Sequence, residues 1–383
     1  MFDLLNINKQ LLTQNWSLYL FFIVAVAVFI QLIYYFFVYF RVTLHRHKKT
    51  EDINRDVSVV ICARNEEQNL IDNLPKLVSQ NYSNYEVFII LDACIDGSLD
   101  LMKNLVKEYS CLRYTVIVKD DKFTHGKKLA LTVGIKGAKS DKLLLTDADC
   151  YPASQNWITR MAYHFNAGYD IVLGYGKYKP QKGFLNRIIR YDTFFIGQQY
   201  LGMALSGLPY MGVGRNLAYK RSVYDAQGGF SKHSHIESGD DDLLINAAAN
   251  RNNCTIEIHP DAHTISKAPE TFKRWRNQKG RHLRASAMYK KRDKFLLAFE
   301  PFTRLIVWFA PIPLYFVEEW CLVALALSLL RFIVFMTILK LNMRKLNEKG
   351  IWLLAPIFDI ILPLFTFGMM LSNRFRKRSI PWR

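Results

Sequence analysis

Apolar residues are concentrated near the amino terminus and in the last quarter of the chain. Residues 18–40 are apolar or aromatic except for Gln31, and about 20 such residues let a helix cross a bilayer core. Three further apolar stretches lie at 305–317, 320–339 and 351–371, and the first of them can be extended back to about residue 295. We therefore predict about four membrane segments around a middle region that has no stretch long enough to span a bilayer.

Basic residues follow the first apolar stretch and also end the chain. The positive-inside rule places the flank at 41–49, which includes Lys48 and Lys49, in the cytoplasm. If all three later stretches cross the membrane, the tail lies outside the cytoplasm. This conflicts with the positive-inside rule, because the tail contains the basic residues Arg374, Arg376, Lys377 and Arg378. Either one of these stretches is interfacial or re-entrant, or the charge bias is overridden. Prolines and one acid interrupt the first and third stretches: Pro311, Pro313, Pro356, Asp359 and Pro363.

The middle region alternates short apolar runs with segments of helical spacing. The predicted strands are 57–62, 87–91, 114–118 and 142–145, and the predicted helices are 66–79, 99–109 and 127–139. This alternation is typical of a parallel sheet covered by helices on both faces. Ligands bind such sheets at the carboxyl ends of the strands. The residues directly after each strand are therefore the first candidates for a site.

Acidic side chains follow two of these strands. Asp92 and Asp96 come after the second, and Asp147 and Asp149 come after the fourth. Neighbouring carboxylates repel each other unless a positive group lies among them. A hard divalent cation meets this need, because Mg²⁺ typically takes one or two carboxylates together with substrate phosphates. Asp149 can alternatively cap a helix.

Composition and missing motifs remove several classes of function. The net charge is +18, but the basic residues cluster beside the apolar stretches, which favours membrane lipids over nucleic acid as the partner. The six cysteines are scattered and form no Cys-x-x-Cys pair, which fits a reducing compartment and argues against structural zinc. The chain contains neither Gly-x-x-x-x-Gly-Lys-Ser/Thr nor a Gly-x-Gly-x-x-Gly after the first strand, so kinase and dinucleotide functions lose support.

Seven segments that occur in one order carry a resemblance to a known family. They are 57–68 with Arg64 and Glu66, 89–92 with Asp92, 126–131 with Lys127, 147–149, 214–219 followed by 228–230, 238–243 and 278–282. Together they resemble the membrane-bound family 2 glycosyltransferases with a GT-A fold, especially the polysaccharide-synthase-like members, over about residues 56–282. Two positions depart from the family pattern: His282 replaces the usual Trp, and Gly239 stands where many members have Glu.

The resemblance implies an α/β GT-A fold with transmembrane helices at both ends. The expected domains are an anchor at 1–45, a cytoplasmic catalytic domain at 46–294, and a membrane region of two or three helices at 295–383. The implied activity is a metal-dependent, inverting transfer of the hexosyltransferase type. A sugar moves from a nucleotide-diphosphate sugar to a lipid-linked or growing glycan acceptor at the plasma (inner) membrane. Addition of a single sugar and processive synthesis both remain open.

The resemblance also assigns roles to individual residues. It implies that Asp149 and Asp147 bind Mg²⁺ or Mn²⁺, and that the base is one of the acids at 240–242. Counting back from Leu243 favours Asp240, with Asp241 as the second candidate. The donor-binding residues expected are Arg64, Glu66, Asp92, Lys127, Asp147, Gln278 and Arg281. Lys127 can alternatively lie on a solvated helix face.

Gln278 and Arg281 can instead belong to a basic interfacial helix. The basic residues around them are expected to face anionic lipid; they are Arg274, Arg276, Lys279, Arg284, Lys290, Lys291 and Arg292. A different class of function is a transporter or channel with a regulatory nucleotide-binding domain. Its support is limited to Arg331 and Asp359, which lie within apolar stretches.

Overall fold

A computed structural model describes residues 15–47, 50, 55–119, 126–233, 236 and 238–374. Lys48 and Lys49 of the predicted cytoplasmic flank lie outside the described residues. The described residues also exclude three basic residues of the tail, Arg376, Lys377 and Arg378.

The described residues form a membrane region at both ends of a mixed α/β domain. Ten strands lie in this domain: β1 (Val57–Ala63), β2 (Tyr85–Asp92), β3 (Leu112–Ile117), β4 (Lys142–Leu145), β5 (Cys150–Pro152), β6 (Ile171–Gly174), β7 (Gly176–Tyr178), β8 (Leu217–Lys220), β9 (Cys254–Glu257) and β10 (Thr264–Ser266). The helices are α1 (Trp16–Leu44), α2 (Glu67–Val78), α3 (Ser98–Glu108), α4 (Lys127–Gly137), α5 (Trp157–Asn166), α6 (Phe184–Leu205), α7 (Arg221–Ala226), α8 (Asp242–Ala248), α9 (Phe272–Ser286), α10 (Lys291–Phe309), α11 (Pro311–Leu314), α12 (Glu318–Lys345) and α13 (Ala355–Arg374).

The main sheet has seven strands in the order β3-β2-β1-β4-β8-β6-β9. The four strands predicted from the sequence are confirmed and run parallel to one another. The prediction of a wholly parallel sheet is wrong beyond β4, because β8 pairs antiparallel with both β4 and β6. An apolar run shows that a strand is buried and says nothing about its direction. A second sheet, β5-β10-β7, lies after the carboxyl end of β4.

Helices α4 and α2 contribute to the packing around β1, which is buried at every position. Gly134 lets α4 approach the sheet closely. A Cβ atom at this position would lie 2.6 Å from a methyl group of Val60 and 2.7 Å from one of Ile90. Real Cβ atoms do not approach other atoms so closely, so the small residue is needed for this packing. The close packing fixes the amino-terminal end of α4 beside the carboxyl edge of the sheet.

Four helical segments are long and apolar enough to cross a membrane: Trp16–Leu44, Lys291–Leu314, Glu318–Lys345 and Trp352–Ser372. This confirms the predicted number, by length and composition. The first carboxyl-terminal segment begins at Lys291, so the longer of the two predicted extents is the correct one. Helix α1 packs against α10 and α12. The Gln31 side chain of α1 donates hydrogen bonds to the Glu300 carbonyl and the Thr303 hydroxyl of α10.

Charged residues inside the membrane region neutralise one another. Asp359 of α13 accepts hydrogen bonds from Arg331 at 2.8 Å and Arg304 at 3.4 Å, and Arg304 also pairs with Glu300. All four are buried, and their formal charges cancel. An unpaired charge at the centre of a bilayer would cost about 3 kcal/mol on insertion scales. The two residues that supported the transporter alternative therefore hold helices together.

The loop between α12 and α13 docks on the α/β domain. Glu348 is buried and accepts hydrogen bonds from Arg190 of α6 at 2.6 Å and from the Tyr175 hydroxyl at 3.2 Å. The Lys349 carbonyl accepts another from Arg190. Tyr175 lies between β6 and β7, so this loop contacts the strands next to the carboxyl edge of the sheet.

Candidate active site

A small pocket lies at the carboxyl edge of the main sheet, where the sequence places its candidate acids. Its charged lining residues are Lys127 from the start of α4, Asp147 after β4, and Asp240 and Asp241 before α8. Gly214 forms another wall. Asp240 is nearly 100 residues from Asp147 in sequence, and the fold brings both to one ammonium group.

Lys127 joins the two acidic groups. Its Nζ lies 2.7 Å from Asp147 Oδ1 and 3.3 Å from Asp240 Oδ2. Burial by itself lowers the pKa of this lysine, but the carboxylates of Asp147 and Asp240 outweigh burial and raise it well above its usual value. The side chain therefore stays charged. The expectation of a solvated helix face does not describe this lysine, whose side chain is only 21% exposed.

Asp147 and Asp149 have different electrostatic surroundings. Burial raises the pKa of Asp147, but the paired ammonium of Lys127 outweighs it and lowers the pKa below its usual value. Reduced solvation, followed by repulsion from Asp147, raises the pKa of Asp149. Of the two carboxylates, Asp149 is therefore the one with charge left to be neutralised.

The donor atoms fit a divalent cation. Ligand atoms of Asp147, Asp149 and Cys150 lie within 4.8 Å of one another. Burial raises the pKa of the Cys150 thiol well above its usual value, so it remains neutral and donates a weak hydrogen bond to Asp149 Oδ1 at 3.3 Å. The two carboxylates then supply oxygen ligands of the kind that Mg²⁺ and Mn²⁺ prefer.

The three consecutive acids at the start of α8, Asp240, Asp241 and Asp242, point in different directions. Asp240 is buried beside Lys127; burial raises its pKa, Lys127 opposes this, and Asp241 adds to it. Asp241 accepts hydrogen bonds from the backbone N–H of Gly214 and from that of Asp242, at the start of α8. Asp242 turns away from the pocket and accepts a hydrogen bond from the Tyr289 hydroxyl at 2.8 Å. Asp240 is thus the acid best placed beside Lys127, and Asp241 mainly fixes the loop.

Substitution of Asp242 by Asn is expected to flatten the pH dependence of stability. Burial, followed by repulsion from Asp241, raises the pKa of Asp242 from 3.8 to about 8. A raised folded-state pKa gives stability that is lost as pH rises toward that value. The wild type should lose about 3 kcal/mol of this contribution between pH 6 and 9, because the loss is about 1.4 kcal/mol per pH unit up to this pKa and then stops.

The measurement is the melting temperature of both proteins at pH 6 and at pH 9. Asn keeps an oxygen for the Tyr289 hydroxyl and has no charge to gain. The two proteins should therefore diverge at the higher pH. An equal loss in both would show that Asp242 does not titrate in this range.

Helix α9 brings the carboxyl-terminal motif to the site. Gln278 exchanges hydrogen bonds with the Tyr178 hydroxyl at 3.1–3.3 Å, and the guanidinium of Arg215 stacks on the Tyr178 ring at 4.5 Å. Arg281 is half-buried, and its carbonyl accepts a hydrogen bond from the Ser238 hydroxyl, next to the acidic loop. The sequence predicted neither Tyr178 nor Arg215 as a site residue. The available signal for Arg215 was its place in the segment 214–219, one of the segments that carry the family resemblance.

His282 presents a neutral ring on the same helix. Loss of solvation, followed by the charges of Arg281 and Arg215, lowers its pKa to about 4. It can therefore accept or donate a hydrogen bond at neutral pH without adding charge beside Asp240.

The side chain of Lys279 points from α9 toward the protein interior, and not toward lipid as predicted. Its ammonium is buried and bonds both carboxylate oxygens of Asp192 in α6, at 2.7 and 2.9 Å. The prediction that this lysine faces lipid is therefore wrong, because a buried acid on α6 attracts it inward. This ion pair fixes the orientation of α9 about its own axis, and therefore the direction in which Gln278 and Arg281 point.

Substitution of Lys279 by Met is expected to destabilise the protein by about 3–5 kcal/mol, because it leaves Asp192 buried and unpaired. Differential scanning of the detergent-solubilised protein gives the change in melting temperature. The double variant Lys279→Met/Asp192→Leu removes both charges and should recover most of the loss. If the single variant melts like the wild type, the pair does not hold α9 in place.

The loops after β1 and β2 complete this edge of the sheet. Asp92 ends β2 and is fully buried, and Arg64 is half-buried after β1. Asn65 and Ala93 have φ of 55° and 49°, which is uncommon for residues other than glycine and typical of functional loops. The Asn65 side chain accepts a hydrogen bond from the Ile95 N–H, which joins the two loops.

The pKa of Glu66 is also affected by the acids after β4. Burial raises its pKa, and the charges of Asp149 and Asp147 raise it further. Its carboxylate accepts a hydrogen bond from the Asn69 side chain. The loop after β1 therefore lies within electrostatic range of the candidate metal ligands after β4.

Comparison with known proteins agrees with this geometry. The family model described as Glycosyl transferase family 2 matches residues 58–228. The probable glycosyltransferase YdaM of Bacillus subtilis (strain 168) is 25% identical, over 95% of this chain and 96% of that protein. An undecaprenyl-phosphate 4-deoxy-4-formamido-L-arabinose transferase of Aeromonas hydrophila subsp. hydrophila is 31% identical, over 30% of this chain and 35% of that protein.

A solved structure shares the fold. It is the mannosyltransferase PcManGT from Pyrobaculum calidifontis, in complex with GDP-Man and Mn²⁺, with a TM-score of 0.59 and 16% identity, over 94% of this chain and 99% of that one. The predicted GT-A-like fold is confirmed, and residues 58–228 match the glycosyl transferase family 2 model that the motifs indicated.

Proposed function

We propose that this glycosyltransferase moves a sugar from a nucleotide-diphosphate sugar to a lipid-linked or growing glycan acceptor, with inversion at the anomeric carbon. The observation that carries the proposal is the meeting of Asp147, Lys127 and Asp240 at one pocket at the carboxyl edge of the sheet. A single displacement needs a stabilised leaving group and a base, and these residues can supply a metal site for the first and a separate buried acid for the second. The relatives that bind GDP-Man or use undecaprenyl phosphate support the donor and acceptor classes.

The donor side is assigned to the loops after β1, β2 and β4. Arg64, Glu66 and Asp92 would line the nucleoside end, and Asp147 and Asp149 would hold Mg²⁺ or Mn²⁺ near the diphosphate. Such a cation stabilises the charge of a leaving diphosphate. Gln278 and Arg281 approach from α9. The guanidinium of Arg281 can bind phosphate oxygens in a bidentate manner.

The acceptor side is assigned to Asp240. In a single displacement, the acceptor hydroxyl forms the new glycosidic bond as the bond to the diphosphate breaks, and the base removes the hydroxyl proton. The raised pKa of Asp240 makes it a stronger base than an exposed aspartate. Lys127, 3.3 Å away, keeps it from being too readily protonated.

The proposed location is the plasma membrane, with the catalytic domain at 46–294 on the cytoplasmic side between an anchor at 1–45 and a membrane region at 295–383. The candidate membrane spans and the basic flank after α1 support this location. Partners would then be the nucleotide sugar, a glycan or lipid-linked acceptor, and membrane lipids.

The test is a thermal-shift screen of the full chain with nucleotide sugars, with and without Mn²⁺, followed by transfer of labelled sugar to polyprenyl phosphate. A donor at 100 times its Kd should stabilise the folded state by about 2.7 kcal/mol. The anomeric configuration of the product tests inversion, and its chain length separates single from processive addition. If no nucleotide sugar stabilises the protein or is consumed, the proposal is wrong.

A further inference from the structure

Helix α13 packs against two helices of the α/β domain, α6 and α9. The ring of Phe358 lies 5.5 Å from that of Phe184 and 5.2 Å from that of Tyr191, both in α6. Seven residues further on, Phe365 stacks on Trp275 of α9 at 5.1 Å. A helix that contacts α6 and α9 in succession runs across these two helices.

The charge on α9 fixes the level of this contact in the membrane. Lys273, Arg274 and Arg276 surround Trp275 in the sequence and are exposed to solvent. Such residues cost about 3 kcal/mol each in the centre of a bilayer. The first turn of α9 therefore lies in water or among headgroups, and Phe365 lies close to the same level.

The part of α13 beyond this contact is too short to cross. The apolar stretch of this segment stops before Arg374, nine residues after Phe365, because four of the five residues 374–378 are basic. At 1.5 Å per residue, these residues reach about 14 Å, whereas the hydrocarbon core is about 30 Å thick. Even if this part stood along the membrane normal, Arg374 would end near the bilayer centre. Helix α12, with 28 residues, has no such limit, because it spans about 42 Å.

We propose that α13 lies in the leaflet on the catalytic-domain side, and that the tail after Arg374 stays on that side. Helices α1, α10 and α12 are then the three that cross. This inference concerns the membrane arrangement and does not depend on the donor or on transfer. The partner of the free face of α13 is the acyl region of one leaflet. Six large apolar side chains of that face are exposed: Ile357, Ile361, Leu364, Phe367, Met370 and Leu371.

This arrangement removes the conflict in the charge distribution. The last ten residues contain five basic side chains, Arg374, Arg376, Lys377, Arg378 and Arg383. With three crossings, this tail and the basic flank at 41–49 lie on the same side, as the positive-inside rule requires. Each basic residue near an anionic surface contributes about 1 kcal/mol of attraction. Helix α13 thus has acyl chains on its free face and anionic headgroups beside its end.

Cysteine labelling in sealed membrane vesicles tests the side of the tail. Lys182→Cys, which replaces an exposed residue before α6, reports the side of the catalytic domain, and Glu319→Cys, at the exposed start of α12, reports the opposite side. The full chain with its native cysteines gives the background for a membrane-impermeant maleimide. We expect Ser379→Cys to react in the vesicles in which Lys182→Cys reacts. Reaction together with Glu319→Cys overturns the proposal.

Depth measurements test the position of the helix itself. Nitroxide labels on Ile357→Cys and Met370→Cys are separated by about 20 Å along α13. We expect both labels to report depths within the leaflet on the catalytic-domain side. A label at Met370→Cys in the opposite leaflet means that α13 crosses. Neither measurement requires sugar transfer, so a failed topology and a failed proposed function give different results.

Discussion

Replacement of Asp149 by Asn is expected to reduce sugar transfer by about 10²–10³-fold, the range seen when one strong electrostatic contact to a developing charge is removed. Asp147 already has the ammonium of Lys127 at 2.7 Å, whereas reduced solvation and repulsion from Asp147 raise the pKa of Asp149. A divalent cation would therefore relieve more repulsion at Asp149 than at its neighbour. Asn keeps the shape of the side chain and removes the charge.

The measurement is the initial rate of transfer as a function of Mn²⁺ concentration, together with the melting temperature. The melting temperature should not fall, because Asn keeps the shape of the Asp149 side chain and removes its repulsion from Asp147. Asp100→Asn is a matched control, since this side chain is 81% exposed on α3 and lies outside the pocket. An unchanged rate and an unchanged Mn²⁺ dependence in the Asp149 variant would remove this residue from the metal site.

The periodicity of the sequence was sufficient to predict the first half of the sheet. Each of its four parallel strands is an apolar run bounded by polar residues, and the acids that follow β2 and β4 mark the edge where ligands bind. The antiparallel direction of β8 could not be predicted in this way. It depends on α6, a 22-residue helix that is largely buried and therefore has no clear apolar stripe in its sequence.

The partners of the charged residues were the main feature that the sequence could not supply. Lys127 and Lys279 both lie near other basic residues in the sequence. In the fold, however, the side chain of each contacts acids from elements that are distant in the chain. Lys127 bridges Asp147 and Asp240, and Lys279 binds Asp192 of α6. Such contacts depend on how α4, α8 and α9 pack, and local spacing carries no information about them.

The membrane arrangement is a second feature that the sequence alone could not supply. Hydropathy identified the fourth apolar segment but could not show what it packs against, because a helix that crosses and one that lies in a leaflet both need apolar residues. The contacts of Phe358 and Phe365 with catalytic-domain helices supply this information. Basic residues in the tail then agree with the positive-inside rule instead of opposing it.

Replacement of Asp240 by Asn is expected to preserve donor binding and to reduce transfer by about 10²–10⁴-fold, the usual contribution of a general base. The variant keeps an oxygen 3.3 Å from Lys127 and loses the ability to take a proton. Isothermal titration with the donor and Mn²⁺ gives the Kd, and single-turnover transfer gives the rate. Asp241→Asn is the comparison, because Asp241 contacts backbone N–H groups and should affect the rate less.

The pH dependence separates a base from an acid that only positions the loop. Burial and then Asp241 raise the pKa of Asp240 against the opposing charge of Lys127, so a protonated, inactive form persists above the normal range for aspartate. The wild-type rate should therefore rise with pH until Asp240 is ionised and then level off. The Asp240 variant should lose this rise, whereas the Asp241 variant should keep it. A rise that survives in the Asp240 variant would assign the proton transfer to another group.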